Sequence, residues 1–144
     1  MWDRCLLAID QSESGRAAVE FTARLAGESA SDVRVFHVRE LPANMRAIAL
    51  ESPSDAQLVV EDALSYLRFA GIGAEGRFTS ARDDSVAQRI VQEASEWDCN
   101  VIILGSRRLR GFGRLAGHGV RERVLRLSPL PVITAPTPVR EEAL

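Results

Sequence analysis

Lysine is absent from this chain: all 18 basic residues among its 144 are arginine. A Walker-A phosphate loop sets a lysine against the β- and γ-phosphates, and Schiff-base and pyridoxal-phosphate chemistry need a side-chain amine. Those classes lose their basis, as does a phosphoacceptor receiver domain, which has a similar size but normally uses a lysine. Only two histidines are present, His37 and His118, too few for a histidine-rich metal site. The two cysteines, Cys5 and Cys99, sit in or beside apolar runs and read as small buried side chains. No disulfide is needed, and a reducing compartment is expected. No apolar run approaches the roughly 20 residues that span a bilayer. Met1-Trp2-Asp3-Arg4 leads into a strand-like stretch with no signal-peptide core, so a cytoplasmic protein without membrane contact is expected.

What remains is an ordinary globular composition, 46% apolar and 26% charged, at a length that suits one compact domain. The net charge of −2 is unevenly spread. Seven arginines and a single acid, Glu122, lie between Gly105 and Ser128, so that segment carries +6 and the rest −8. A local anion site and a solvated helix face with an exposed loop are both compatible with that concentration. Low overall charge and sparse aromatics in the segment, Phe112 alone, argue against nucleic acid as the partner.

Strand and helix patterns alternate along the chain. Arg4 to Ile9 reads as a buried strand. Asp10-Gln11-Ser12 supplies turn and N-cap chemistry for a helix that should stop at Gly27. Val33 to Val38 is a second strand, and Arg39 to Pro53 an irregular excursion. A helix from Ser54, capped by Ser54 and Gln57, runs to Gly71. Ile72 to Thr79, with two glycines, predicts a weaker edge strand. A Ser85/Gln88 capping box opens a helix ending near Trp97. Cys99 to Leu104 predicts a buried strand, Gly105 to Gly119 a glycine- and arginine-rich loop, Val120 to Leu127 a short helix and Pro131 to Ala135 a fifth strand. Such alternation implies right-handed crossovers and a parallel sheet covered on both faces.

In open α/β sheets ligands bind beyond the carboxyl ends of the strands, where the strand order reverses. Two turns leave strands predicted to be central: Asp10-Gln11-Ser12 and the loop starting at Gly105. If those strands are neighbours, the turns share one crevice. Asp10 would then accept hydrogen bonds from a base or a ribose; its alternative role is to cap the first helix. Glycines at 105, 111, 113, 117 and 119 would let backbone approach a phosphate, and the helix following the loop offers free N–H groups to an anion.

Four passages, in order, resemble the universal stress protein family over nearly the whole chain. They are Leu6-Leu7-Ala8-Ile9-Asp10-Gln11-Ser12, Phe36-His37-Val38, Val101-Ile102-Ile103-Leu104-Gly105-Ser106-Arg107, and Val124 with Ser128-Pro129-Leu130-Pro131-Val132-Ile133. The resemblance implies a three-layer α/β sandwich of the adenine nucleotide α-hydrolase-like type, its five-stranded parallel sheet in the order 3-2-1-4-5. It implies one domain over 1–137 with a short tail, 138–144, and a homodimer, often through the last strand. Family members that bind ATP carry a glycine, two residues, a second glycine, nine residues, a third glycine and a serine or threonine. Here Gly105 matches the first position, while Arg108, His118 and Gly119 stand at the other three. A slip of one residue would put Gly117 at the third.

The candidate nucleotide contacts implied are Ala8, Ile9, Asp10, Val38, Leu104, Gly105, Arg107, Arg108, Gly117, His118, Gly119 and Val120, with Asp10 near adenine and ribose and Val38 against the base. No catalytic group and no metal ligand is assigned. The leading expectation is a non-catalytic stress-response or regulatory module, acting as a dimer, with ATP binding weakened or lost. The alternatives are an adenine-nucleotide sensor, for ATP or AMP, with a phosphate loop rebuilt from arginine and histidine, and a weak ATPase.

Overall fold

A computed structural model of the chain describes residues 2–10, 12–42, 51–105 and 119–136. Among the described residues there are five strands, β1 (Arg4–Ile9), β2 (Asp32–Leu41), β3 (Ala74–Arg82), β4 (Val101–Gly105) and β5 (Val132–Ala135). Four helices connect them: α1 (Glu13–Ser29), α2 (Pro53–Phe69), α3 (Val86–Glu96) and α4 (Val120–Leu127). The sheet is parallel throughout, in the order β3-β2-β1-β4-β5. β1 is therefore central, with Leu7 opposite Val35 on one side and Ile103 on the other.

Alternation along the central strands builds two cores. Cys5, Leu7, Ile9, Val101 and Ile103 face α1 and α2, and Leu6, Ala8, Ile102 and Leu104 face α3 and α4. Both faces are covered, which is why these strands read as unbroken apolar runs rather than alternating ones. The thiols are buried, Cys5 with the first core and Cys99 with the second. Burial pushes the Cys99 thiol up to about 11 and raises that of Cys5 as well.

Several boundaries differ from the sequence reading. α1 continues through Gly27 to Ser29 and closes on Ala30 in the left-handed region, φ 54°. An internal glycine costs a helix only about 1 kcal/mol relative to alanine, and the neighbouring Ala26 is packed in the core at 1% exposure. α2 begins one step earlier than Ser54: Ser52 is the N-cap, Pro53 opens the helix, and the capping box pairs Ser52 with Asp55. β2 extends to Leu41 because β3 pairs with it as far as Arg82, so Arg39 to Leu41 belong to the sheet and not to the excursion. The Ser85/Gln88 box does not form; a short 3-10 turn over Asp83–Ser85 leads into α3. Cys99 precedes β4 rather than opening it. β3 is an edge strand, as its glycines implied.

One polar cluster in the α3 layer had no counterpart in the sequence reading. Glu93 is fully buried, with Arg34 Nη2 at 3.2 Å, Arg77 Nη2 at 2.6 Å and Arg89 Nη2 at 3.4 Å. Arg34 also lies over the Trp97 ring, 3.2 Å from its centroid. Burial alone would raise the Glu93 carboxyl. The hydrogen bonds and charges of Arg77 and Arg34 outweigh it and hold the group below the usual carboxylate range.

Candidate nucleotide cleft

β1 has β2 on one side and β4 on the other, so the chain leaves it at the point where the strand order reverses. The carboxyl ends of β1 and β4 lie side by side, with Ala8 opposite Leu104. A cleft of about 140 Å³ opens there. That is far more than the roughly 10–15 Å³ one water requires, so the space is a recess and not a packing fault.

Its apolar wall includes Ala8, Ile9, Phe36, Val38, Leu104 and Val120. Asp10 and Glu40 bring carboxylates to one part of the lining, and Gly105, Gly119, Arg121 and Glu122 complete another. Eight of the twelve candidates named above therefore meet in one place: Ala8, Ile9, Asp10, Val38, Leu104, Gly105, Gly119 and Val120. Arg107, Arg108, Gly117 and His118 lie outside the described residues.

Asp10 is held in a fixed turn. Its Oδ1 accepts a hydrogen bond from the Ser12 backbone N–H at 2.8 Å and another from the Ser12 hydroxyl. Ser12 is the N-cap of α1, and its Oγ accepts from the Gly15 N–H at 3.4 Å. The helix is thus capped by Ser12, while Asp10 orients the cap from the turn before it. Gly15 makes the arrangement possible. A Cβ there would lie 2.5 Å from the Asp10 carbonyl oxygen and 3.0 Å from Oδ1.

The strand end is also fixed from behind. His37 points into the opposite core layer, where its Nδ1–H donates to the Ile9 carbonyl at 2.7 Å. Its Nε2 meets the two Glu51 carboxylate oxygens at 2.8 and 3.0 Å. Arg39 donates to the Glu51 carbonyl at 2.7 Å. β2 thereby ties the end of β1 to the start of α2, one residue before the cleft's carboxylate.

Sequence reasoning did not single out Gly15, Phe36, Glu40, Arg121 or Glu122 for the cleft. Phe36 was available from strand parity, since it shares a face with Val38 two residues on. Glu40 follows at the same spacing. Gly15 carried no such signal, because what it permits is an approach across the turn.

A five-stranded parallel sheet with this order and a recess at its switch point defines an α/β protein of the adenine nucleotide α-hydrolase-like fold. The model of the universal stress protein family matches residues 1–136, and the chain belongs to that family. It is 24% identical over 148 residues to universal stress protein YxiE of Bacillus subtilis (strain 168), covering 92% of this chain and 98% of that protein. Solved structures of other universal stress proteins share the fold. A universal stress protein in complex with cAMP aligns with a TM-score of 0.74 at 17% identity, over 95% of this chain and 98% of its own. The universal stress protein from Archaeoglobus fulgidus in complex with dAMP aligns with a TM-score of 0.68 at 23% identity, over 92% and 97%. Among the described residues, no helix is long and apolar enough to cross a membrane.

Proposed function

We propose that this family member is a regulatory module that binds an adenine nucleotide in the cleft between the ends of β1 and β4, and that it holds ATP less well than members with the full glycine motif. The observation that carries this reading is the convergence of Asp10 and Gly105 on one recess with an apolar wall. A heterocyclic base would be covered by Val38 and Phe36, and a ribose would find an acceptor in Asp10, whose carboxylate is already oriented by Ser12. The cAMP and dAMP complexes of similarly folded proteins support the choice of ligand class. Arg108 and His118, where ATP-binding members have glycine, support the weaker hold on a triphosphate.

Calorimetric titration with ATP, ADP, AMP and cyclic AMP tests the proposal. At least one should bind, and Asp10→Ala should weaken that binding at least tenfold, the scale of one good hydrogen bond to a charged group. Absence of binding by all four would end the reading.

The module is further proposed to act as a homodimer through β5. Among the described residues β5 pairs only with β4, leaving its other edge open. The adjoining α4 exposes Leu125 and Leu127. Bare strand edges next to apolar side chains favour pairing with another chain. Light scattering at micromolar concentration should report twice the 15.8 kDa chain mass, and Ile133→Pro in β5 should return the monomer mass. A monomer at every concentration would remove the dimer from the proposal.

A further inference from the structure

At the end of the sheet away from the cleft, the starts of β1, β2 and β3 carry a second recess, about 310 Å³ in volume. Its charged wall follows from strand parity. Arg4 pairs with Asp32, and Arg34 with Glu75. Paired residues of neighbouring strands share a face, as do residues two apart on one strand. All four side chains therefore belong to the face covered by α3, and all four line the recess together with Trp97. The backbone beneath them is fixed. The Asp32 N–H donates to the Asp3 carbonyl at 2.9 Å. The N–H groups of Asp3 and Arg4 donate to Asn100 Oδ1 at 2.9 and 3.0 Å.

Arg4 and Asp32 are register partners of opposite charge, yet they do not join. Arg4 Nη1 donates instead to the Trp97 carbonyl at 3.2 Å. Asp32 leans the other way, over Gly73, where a Cβ would lie 2.6 Å from Asp32 Oδ1. Among the described residues the Asp32 carboxylate has neither a hydrogen bond nor an ion pair. Arg34 is incompletely matched as well. Its side chain is only 10% exposed, and its Nη2 donates to Glu93 at 3.2 Å. Its Nη1 comes no nearer to Glu75 than 3.8 Å, too far for a hydrogen bond. Its Nε is buried with no hydrogen-bond partner. A buried N–H donor left unmatched is costly, and native structures leave few of them. The guanidinium is also packed over the Trp97 ring, which keeps it at the wall of the recess.

We propose that this recess binds a free α-amino acid, with its carboxylate received by Arg4 and Arg34 and its ammonium group by Asp32 and Glu75. Two guanidiniums and two carboxylates make a lining without net charge, which complements a ligand that carries both signs at once. A phosphate or a simple carboxylic acid would be repelled by Asp32 and Glu75, and a polyamine by Arg4 and Arg34. Guanidinium groups suit a carboxylate in particular, because their planar fork matches its two oxygens. Trp97 supplies apolar surface for a side chain. The volume lies at the low end of the roughly 300–1,000 Å³ usual for ligand sites, which suits a small molecule. The recess shares no lining residue with the nucleotide cleft, so the proposal is independent of nucleotide binding.

Calorimetric titrations of the full chain with leucine, leucinamide and 4-methylpentanoate separate the two charges, since the amide keeps only the ammonium group and the acid only the carboxylate. Leucine should bind with a Kd of about 1 mM or tighter, and each singly charged analogue about tenfold more weakly, the scale of one lost hydrogen bond to a charged group. Asp32→Asn should weaken leucine about tenfold and leave 4-methylpentanoate within about twofold. Arg4→Gln should weaken leucine equally and spare leucinamide. Gly73→Ala, whose Cβ displaces the Asp32 carboxylate, should behave as Asp32→Asn does. Arg4 and Asp32 are exposed, and thermal melts confirm that each variant is folded. Leucyl-leucine, with its charges farther apart, should bind less tightly than leucine; the reverse order would assign the recess to peptide ends and overturn the amino acid. Wild-type leucine affinity in Asp32→Asn and Arg4→Gln, or leucine no tighter than both analogues, would overturn the site. So would a failure of leucine, glycine and glutamate alike to bind at about 10 mM.

Discussion

Replacing Glu93 by glutamine is expected to cost about 3–5 kcal/mol of folding stability and to lower the melting temperature by roughly 10 °C or more. The reason is an imbalance created in a buried place. Glu93 has no exposed surface, and the side chains of Arg34 and Arg89 are only 10% and 22% exposed. Glutamine fits the same space but leaves those guanidiniums facing a neutral group, with like charge close by. Glu75 at 3.8 Å from Arg34 and Glu96 at 4.0 Å from Arg77 remain, and both are well exposed to solvent. They compensate little.

The sign of the pH dependence follows from the direction of the Glu93 shift. Its carboxyl is held below the usual range in the fold, so its stabilising contribution is present above the unfolded-state value, roughly 4.3. That contribution is lost as pH falls through the lower folded value. Denaturant melts between pH 7 and pH 3 should show a steeper acid-side loss for the wild type than for Glu93→Gln. A double variant, Glu93→Leu with Arg34→Met, should recover part of the stability at pH 7. Exchanging a buried ion pair for apolar side chains of similar volume is close to neutral, and methionine retains contact with the Trp97 ring. A Glu93→Gln melt within 1 kcal/mol of wild type would show that the cluster contributes little.

Gly15→Ala provides the second large effect, and its sign is the test. In an ordinary helix interior the change from glycine to alanine gains about 1 kcal/mol. Here the new Cβ would stand 2.5 Å from the Asp10 carbonyl oxygen, a distance that real contacts do not reach. The obstructing atom is backbone, so no side-chain rotation relieves it. Either α1 retreats or the turn carrying Asp10 shifts. A destabilisation of about 1–3 kcal/mol is expected, the usual range for an overpacked site. Any nucleotide affinity should fall at least tenfold, because the Asp10 carboxylate moves with its turn. A variant more stable than wild type, with unchanged ligand affinity, would mean that the approach is loose enough to absorb a methyl group.

Those two residues also mark where sequence reading stops. The strands around the cleft were legible because burial on both faces leaves continuous apolar runs, such as Val101-Ile102-Ile103-Leu104, that few other environments produce. The turns holding Asp10 and Gly105 followed from the position of those runs. Glu93 was hidden because an acid on an amphipathic helix normally faces water. Its one signal was parity. Arg34 shares a strand face with Phe36 and Val38, and a cation on that face needs a partner from the helix above. Gly15 had no signal in the chain, since the first turn of a helix accepts glycine for many reasons and only the coordinates show what approaches it. Helix ends were read less well than helix existence. At Gly27 the packing of Ala26 outweighs a local stop signal, and at Ser54 two neighbouring serines offered competing caps.

The imidazole of His37 braces the end of β1 from the face of the sheet opposite the cleft. Its ring is bonded to the peptide immediately before Asp10 on one side and to the residue preceding the α2 cap on the other. The start of α2 and the turn carrying Asp10 are therefore joined through a single ring. Losing either contact, by Glu51→Ala or His37→Ala, is expected to loosen that turn without altering the lining of the cleft.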